Sequence, residues 1–262
     1  NLIFICIFAD MFVHSYTMKK IYIGIDDTDN KESRGTGYQG RVLSMHLFNR
    51  GMIKPISISR HQLLVDSRIP YTSHNSSCCI FCESNTDISI IFNEAKKFLI
   101  TICADGSDCG LCIASDDMLN DDIATFGLNT KKEIMTTDKA YLLAQKYNIF
   151  LEGLTGQKIG VIGALAAVGL RYYGNDGRVL WLPNLRELEG VFIASELKKM
   201  TGIETIRTID GKNVSKNHYI EVGEWCRPII ENKKITLLVE KAKNNQYEYK
   251  SASKEYIKSI TE

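Results

Sequence analysis

The run Ile21-Tyr22-Ile23-Gly24-Ile25 is β-branched and aromatic, which suits a buried strand, yet it stops abruptly in Asp26-Asp27-Thr28-Asp29. Three carboxylates in four residues cannot continue into a core, so the strand must end at a polar edge. In α/β folds that edge is where ligands bind. Downstream, Gly35-Thr36-Gly37 precede Tyr38, Val42 and Met45 at helical spacing, with Leu43 and Leu47 beside them and Gly51 as a stop. Strand, acidic and glycine-containing loop, then helix is the expected unit.

The same reading extends along the chain. Strand character recurs at Pro55 to Val65 and Cys78 to Glu83, with a polar, turn-rich segment from Ser67 to Ser77 between them. Ile88, Ile91, Phe92, Ala95, Phe98 and Ile102 mark an amphipathic helix, which a second acidic and glycine loop from Ala104 to Gly110 follows directly. Thr137 to Tyr147 reads as a helix capped by Thr136 or Thr137, and Val161 to Leu170 as an apolar, alanine-rich helix preceded by glycines. Past Val179-Leu180-Trp181-Leu182 the character changes. A helical stretch is expected near Val191 to Met200, a hairpin turning at Asp210-Gly211, and strands over Tyr219 to Ile230 and Ile235 to Val239, then a polar, Lys-rich tail.

The expected class is α/β (α+β): an N-terminal mixed sheet with helices, a middle portion that is ferredoxin-like by analogy, and a small β-rich C-terminal unit. The boundaries expected are 1–17 for a leader or translated upstream segment, 18–183 for the nucleotide-binding region and 184–262 for the C-terminal unit. The first seventeen residues hold a short apolar run but no basic region and an Asp10, a poor signal peptide too short to span a membrane. Met18 is the expected natural start. With 32 basic and 31 acidic residues, the net charge of +1 advertises no polyanion partner, so any nucleic-acid contact must be local. Eight cysteines in a chain too long to need disulfide staples point to a reducing, cytoplasmic compartment.

Candidate chemistry follows from spacing. Asp26, Asp27 and Asp29 are hard oxygen ligands that suit Mg²⁺, which would bridge substrate phosphates; the same residues could simply open a turn. Gly35, Thr36 and Gly37 before a helix offer free N–H groups to a phosphate, or only a flexible loop. Gly153, Gly156, Gly160 and Gly163, with Lys158 among them, form a second such approach, serving phosphate binding, close packing or both. His74 in a polar loop is a candidate base or phosphate contact, and equally a plain hydrogen-bonding residue. The pairs Cys79/Cys82 and Cys109/Cys112 have CxxC spacing, but the first falls on a strand, where residues three apart face opposite ways, and the second in a loop that reads as an acidic turn, so buried thiols are expected rather than zinc.

Three separated stretches resemble the kinase domain of the archaeal tRNA-isoleucine agmatinylcytidine synthetase family. Gly24-Ile25-Asp26-Asp27-Thr28-Asp29 matches its opening motif, and Arg34-Gly35-Thr36-Gly37-Tyr38 lies where the family has a threonine-rich loop ending in tyrosine. Ile69-Pro70-Tyr71 resembles its second block, and Gly160 to Gly169 its third; together they span Met18 to Leu182. The resemblance implies an ATP- and Mg²⁺-dependent ligase with kinase-like chemistry, which phosphorylates the carbonyl oxygen of a tRNA wobble cytidine before agmatine displaces the phosphate. It also implies a part in phosphoryl transfer for Thr36. With the reading of the residues, the expected roles are catalysis by Asp26, Asp27, Thr36 and His74, metal binding by Asp26, Asp27 and Asp29, and nucleotide binding by Gly24, Gly35, Gly37, Lys158, Gly160 and Gly163, with Asp108 also near the reacting centre. Partners are then a nucleotide and, as a candidate, tRNA, with no membrane; oligomeric state stays open. The sequence departs from the family in having Thr36-Gly37 in place of two adjacent threonines, in lacking the second loop's basic residue around Ser73-His74-Asn75, and in offering only Cys226 after Cys112 where a zinc ribbon would need pairs. The acceptor is therefore open, as are a metal-dependent phosphohydrolase and a non-catalytic nucleotide- or RNA-binding module.

Overall fold

The computed structural model describes residues 18–72, 74–243 and 246–262, so the expected leader at 1–17 lies outside the described residues. The chain begins β1 (Lys19–Asp26), α1 (Thr36–Asn49), β2 (Lys54–Gln62), β3 (Ser76–Ser84), α2 (Ile88–Ile102) and β4 (Gly110–Ser115). These four strands lie in the order β4-β1-β3-β2, all antiparallel. That is the ferredoxin-like βαββαβ arrangement, and it sits at residues 19–115. Next come α3 (Asp121–Asn129), α4 (Thr137–Lys146), β5 (Phe150–Gly153), which pairs with β4, α5 (Val161–Tyr173) and β6 (Arg178–Trp181), which pairs with β2.

Alternation along β1 decides which helix covers which face. Ile21, Ile23 and Ile25 join the cluster built on α1 and α2, while Tyr22 joins the cluster built on α5, α3 and α4. Gly24, also on the α5 side, is required there: a Cβ would fall 2.0 Å from the Ala164 carbonyl oxygen. The small residues of α5 thus let its backbone press directly on β1. Local signals hold the helices: Asp87 accepts from the Ser89 N–H (2.8 Å), Asn120 from that of Asp122 (3.0 Å) and Thr136 from that of Lys139 (3.3 Å).

The second part of the chain adds β7 (Gly190–Ile193), α6 (Ala194–Thr201), β8 (Thr205–Thr208), β9 (Tyr219–Val222), β10 (Ile229–Glu231), β11 (Lys234–Lys241), β12 (Tyr249–Ser251) and α7 (Lys254–Thr261). These elements gather their own cluster, from Val179 and Leu182 to Leu237 and Val239. The sheet nonetheless runs on across the composition change, because β6 bonds both β2 and β10. Several expectations shift here. Val191 to Met200 divides into a strand and a helix, since β9 recruits residues 190–193. The expected run Tyr219 to Ile230 breaks into β9 and β10. Cys109 to Cys112, expected in a loop, lies mostly in β4, and the tail forms β12 and α7, with Ile257 buried. Among the described residues no helix is long and apolar enough to cross a membrane.

Candidate active site

Residue 26 is the next position of β1 on the α5 side, so the Asp26 carboxylate arrives at the start of α5. It lies against Gly163, where a Cβ would sit 1.9 Å from Oδ2; any other residue would displace the carboxylate. β4 closes the other side, with Gly110 so near Gly160 that a Cβ would meet its backbone at 2.2 Å. Asp27 then takes φ 50°, a left-handed conformation that Asp tolerates better than most residues. It turns the chain out of the strand toward Thr28, which is fully buried.

The electrostatics of this tip are unusual. Burial first and then the charge of Asp27 push the Asp26 carboxyl up to about 8, against the pull of the Asp27 backbone N–H. Asp27 itself is pushed up to about 6, first by burial and then by Asp108 and Asp29. The described residues supply this pair with no cation: neither takes part in an ion pair.

Asp29 is used differently. Its Oδ1 accepts from the Thr36 N–H (3.2 Å) and from the Thr36 hydroxyl (2.7 Å), so it satisfies the first N–H of α1 that Gly35 cannot cap. The Thr28 hydroxyl donates to Thr36 Oγ1 (3.2 Å), and the Thr72 hydroxyl to the Asp29 carbonyl (3.2 Å). Thr36 is therefore held with its proton toward a carboxylate.

Asp26, Asp27, Asp29, Thr36, His74, Gly160 and Gly163 all line one cavity, which has about 930 Å³ of empty space with its open mouth included. Gly35 and Gly37 line a second cavity that shares Asp29, Thr36 and His74 with the first. Two expected binding residues stand apart. Gly24 is enclosed between β1 and α5 as a packing position, and Lys158 is exposed, its backbone at φ 66° donating to Asp108 Oδ1 (3.1 Å). Asp108 also accepts from the Gln157 N–H, so its carboxylate shapes the turn before α5. The sequence reading missed the wall formed by Thr130, Glu133, Ile134 and Met135; nothing in their local pattern marks them. It also missed β4, although Leu111-Cys112-Ile113-Ala114 is a short apolar run of buried-strand type. The thiols of each CxxC pair lie in different clusters, Cys79 and Cys112 beneath α5, Cys82 and Cys109 on the opposite face, so neither pair converges on one ion.

No family model matches this sequence. Over 153 residues it is 28% identical to the isoleucine-tRNA 2-agmatinylcytidine synthetase of Archaeoglobus fulgidus, covering 57% of this chain and 36% of that protein. Over 160 residues it is 26% identical to an uncharacterized protein of Methanocaldococcus jannaschii, covering 58% of this chain and 50% of the relative. The chain thus spans half or less of the length of these relatives. Among solved structures, a tRNA fluorescent labeling enzyme aligns with TM-score 0.50 and 25% identity over 57% of this chain and 36% of its own. The synthetase in complex with its tRNA and ATP shares the fold with TM-score 0.50 and 24% identity, over 58% of this chain and 36% of that one. Across somewhat more than half of its length, the chain resembles isoleucine-tRNA 2-agmatinylcytidine synthetase.

Proposed function

We propose that this chain is an ATP- and Mg²⁺-dependent RNA-modifying enzyme that transfers a phosphoryl group to a nucleobase and so activates it for a ligase-type substitution. One observation carries the reading: Asp26 and Asp27 are held together, desolvated and with no ion-pair partner among the described residues, on the wall of a cavity that the starts of α1 and α5 also line. A divalent ion would compensate both carboxylates at once. Among the described residues no three His, Cys, Asp or Glu side chains group as a metal site, so in this reading substrate phosphates and water would have to complete the coordination that Asp26 and Asp27 begin. The positive ends of the two helix dipoles face the same space and favour phosphate.

In this reading ATP supplies the phosphoryl group. Asp26 and Asp27 hold the ion, and the backbone near Gly160 and Gly163 lies against the phosphates. Thr36 presents a hydroxyl that donates to Asp29 beside this space; in the transfer the nucleobase oxygen would bond the γ-phosphorus as its bond to the nucleotide breaks, and the nucleotide diphosphate would leave. His74 stands on the cavity wall near Asp29 and Thr36. Similarity to a named synthetase supports an RNA acceptor.

Isothermal titration with ATP tests it. Wild type is expected to bind ATP only with Mg²⁺ present, and Asp27→Ala to weaken that binding at least tenfold, about 1.4 kcal/mol. Binding that ignores both Mg²⁺ and the substitution would sink the proposal. Rapid release of inorganic phosphate without any RNA would instead identify a hydrolase.

A further inference from the structure

The wall shared by the two cavities leads from the acidic tip to a surface of opposite charge. The second cavity is lined by Arg60 and Arg178, and a group of further arginines lies in their field. Arg34, just before α1, and Arg41, on it, both stack on the Tyr38 ring, at 4.6 and 5.5 Å. Trp225, before β10, is stacked by its neighbour Arg227 at 5.2 Å and by Arg178 of β6 at 5.9 Å. Glu262, which lines this cavity along with Asp29, is occupied by Arg178 (2.6 Å) and Arg60 (3.5 Å).

Arg34, Arg41, Arg186 and Arg227 form no ion pair among the described residues. Arg41, Arg186 and Arg227 donate only to backbone carbonyls, of Gly37, Leu180 and Cys226. Arg41 and Arg227 are also half-buried. Burial holds the Arg227 guanidinium below its usual range, and the charges of Arg186, Arg178 and Arg41 lower it further; Arg41 is depressed by burial and then by Arg186. Desolvated like charges with no counter-charge disfavour the empty protein, and an anion would relieve both costs. A guanidinium matches phosphate with its planar fork, and interleaved aromatic faces accept stacked bases. The group spans α1, the segment after β6 and the segment before β10, more separate elements than one triphosphate engages.

We propose that this arginine and aromatic face docks the phosphodiester backbone of a single-stranded RNA segment, placing one of its bases at the acidic cavity. This deepens the reading given above, on whose RNA acceptor it rests. Net charge conceals the surface, because acidic residues elsewhere balance it to +1.

Fluorescence anisotropy with a labelled 12-nucleotide single-stranded RNA tests the proposal on the full chain. The double variant Arg41→Gln/Arg227→Gln is expected to lose at least tenfold in affinity and to reduce the salt slope by about 1.4, roughly 0.7 for each lost phosphate contact. Trp225→Ala should lose about fivefold or more with little change in slope, as stacking predicts. A control removing two exposed charges from α6, Lys198→Gln/Lys199→Gln, should stay within twofold. If the arginine double variant does not fold, Trp225→Ala and the exposed Arg186→Gln carry the test. Equal losses in control and double variant, or no RNA binding by wild type, would overturn the proposal. So would loss of Mg²⁺-ATP binding with RNA binding intact, which would assign the arginines to the nucleotide. Conversely, RNA binding that needs the arginines in a protein that never binds ATP would leave this surface standing and remove the function proposed above.

Discussion

The helix α5 has an aspartate at either end, and the two live in opposite surroundings. Past its C-terminus, Asp176 accepts from His61 Nδ1 (2.9 Å) and pairs with Lys131 Nζ (2.5 Å). Burial alone would raise its pKa, yet the hydrogen bond from His61 and the Lys131 ammonium hold it below the usual carboxylate range. At the other end, Asp26 is pushed up to about 8 by burial with a second carboxylate beside it. The paired aspartate ties β2, the segment after α3 and the turn after α5 to one another, since Lys131 also donates to the Gln62 carbonyl (3.0 Å). The unpaired one ties nothing together. A buried charge that the fold has satisfied is structural, whereas one left unsatisfied at a cavity marks where a ligand must complete the site.

Removing each aspartate should therefore have opposite consequences. Asp176→Ala strands the Lys131 ammonium and the His61 ring, and breaking a buried pair costs about 3–5 kcal/mol. Urea unfolding should show that loss, and a loss under 1 kcal/mol would end the structural reading of this end of α5. Asp26→Asn should not destabilise the ligand-free protein. Its effect should depend on pH, because the folded carboxyl, at about 8, binds its proton more tightly than the unfolded one, at 3.8. Wild-type stability then falls as pH rises from about 4 to 8, with Asp27 contributing between about 4 and 6. The asparagine variant loses the Asp26 share of that slope, so it should match wild type near pH 4 and exceed it at pH 8. Added Mg²⁺ should narrow the difference at pH 8 by stabilising wild type alone. Unfolding midpoints that keep a constant gap across this range would contradict the assigned burial.

The contrast also explains what was legible beforehand. The apolar run into Asp26-Asp27, the helix at Val161 and the amphipathic pattern of α2 are local, and each could be read from a few neighbouring residues. β4 has a local signal in Leu111 to Ala114, but Asp105-Gly106-Ser107-Asp108 carries turn chemistry right up to it and masks its start, and pairing with β1 fixes its place. Val191 to Ile193 becomes a strand only because residues 219–222 return beside it. The tail reads as no more than polar and Lys-rich since α7 buries little besides Ile257, while Glu262 anchors it to Arg60 and Arg178. The acidic tip of the site lies within one short segment, but the wall at Glu133 and Met135 and the arginine surface are assembled from distant loops. No local period reports such convergence.

The paired end of α5 holds a further lesson in telling structure from chemistry. Ser59 Oγ lies 2.9 Å from His61 Nε2, and His61 Nδ1 lies 2.9 Å from Asp176, the connectivity of a serine nucleophile, its base and the group that orients it. Burial overrides the pull of Asp176 and keeps His61 below its usual pKa, hence neutral near pH 7. Ser59 is nevertheless fully buried, with the Cys79 carbonyl at 3.4 Å, and none of the three residues lines either cavity at the acidic tip. A nucleophile that no substrate can reach is only a hydrogen-bond partner. Ser59→Ala should cost about 1 kcal/mol, the usual worth of one buried hydrogen bond, and should leave Mg²⁺-ATP affinity within twofold of wild type. Loss of catalysis with unchanged stability would reverse the assignment and move the reacting centre to the end of α5 that we regard as structural.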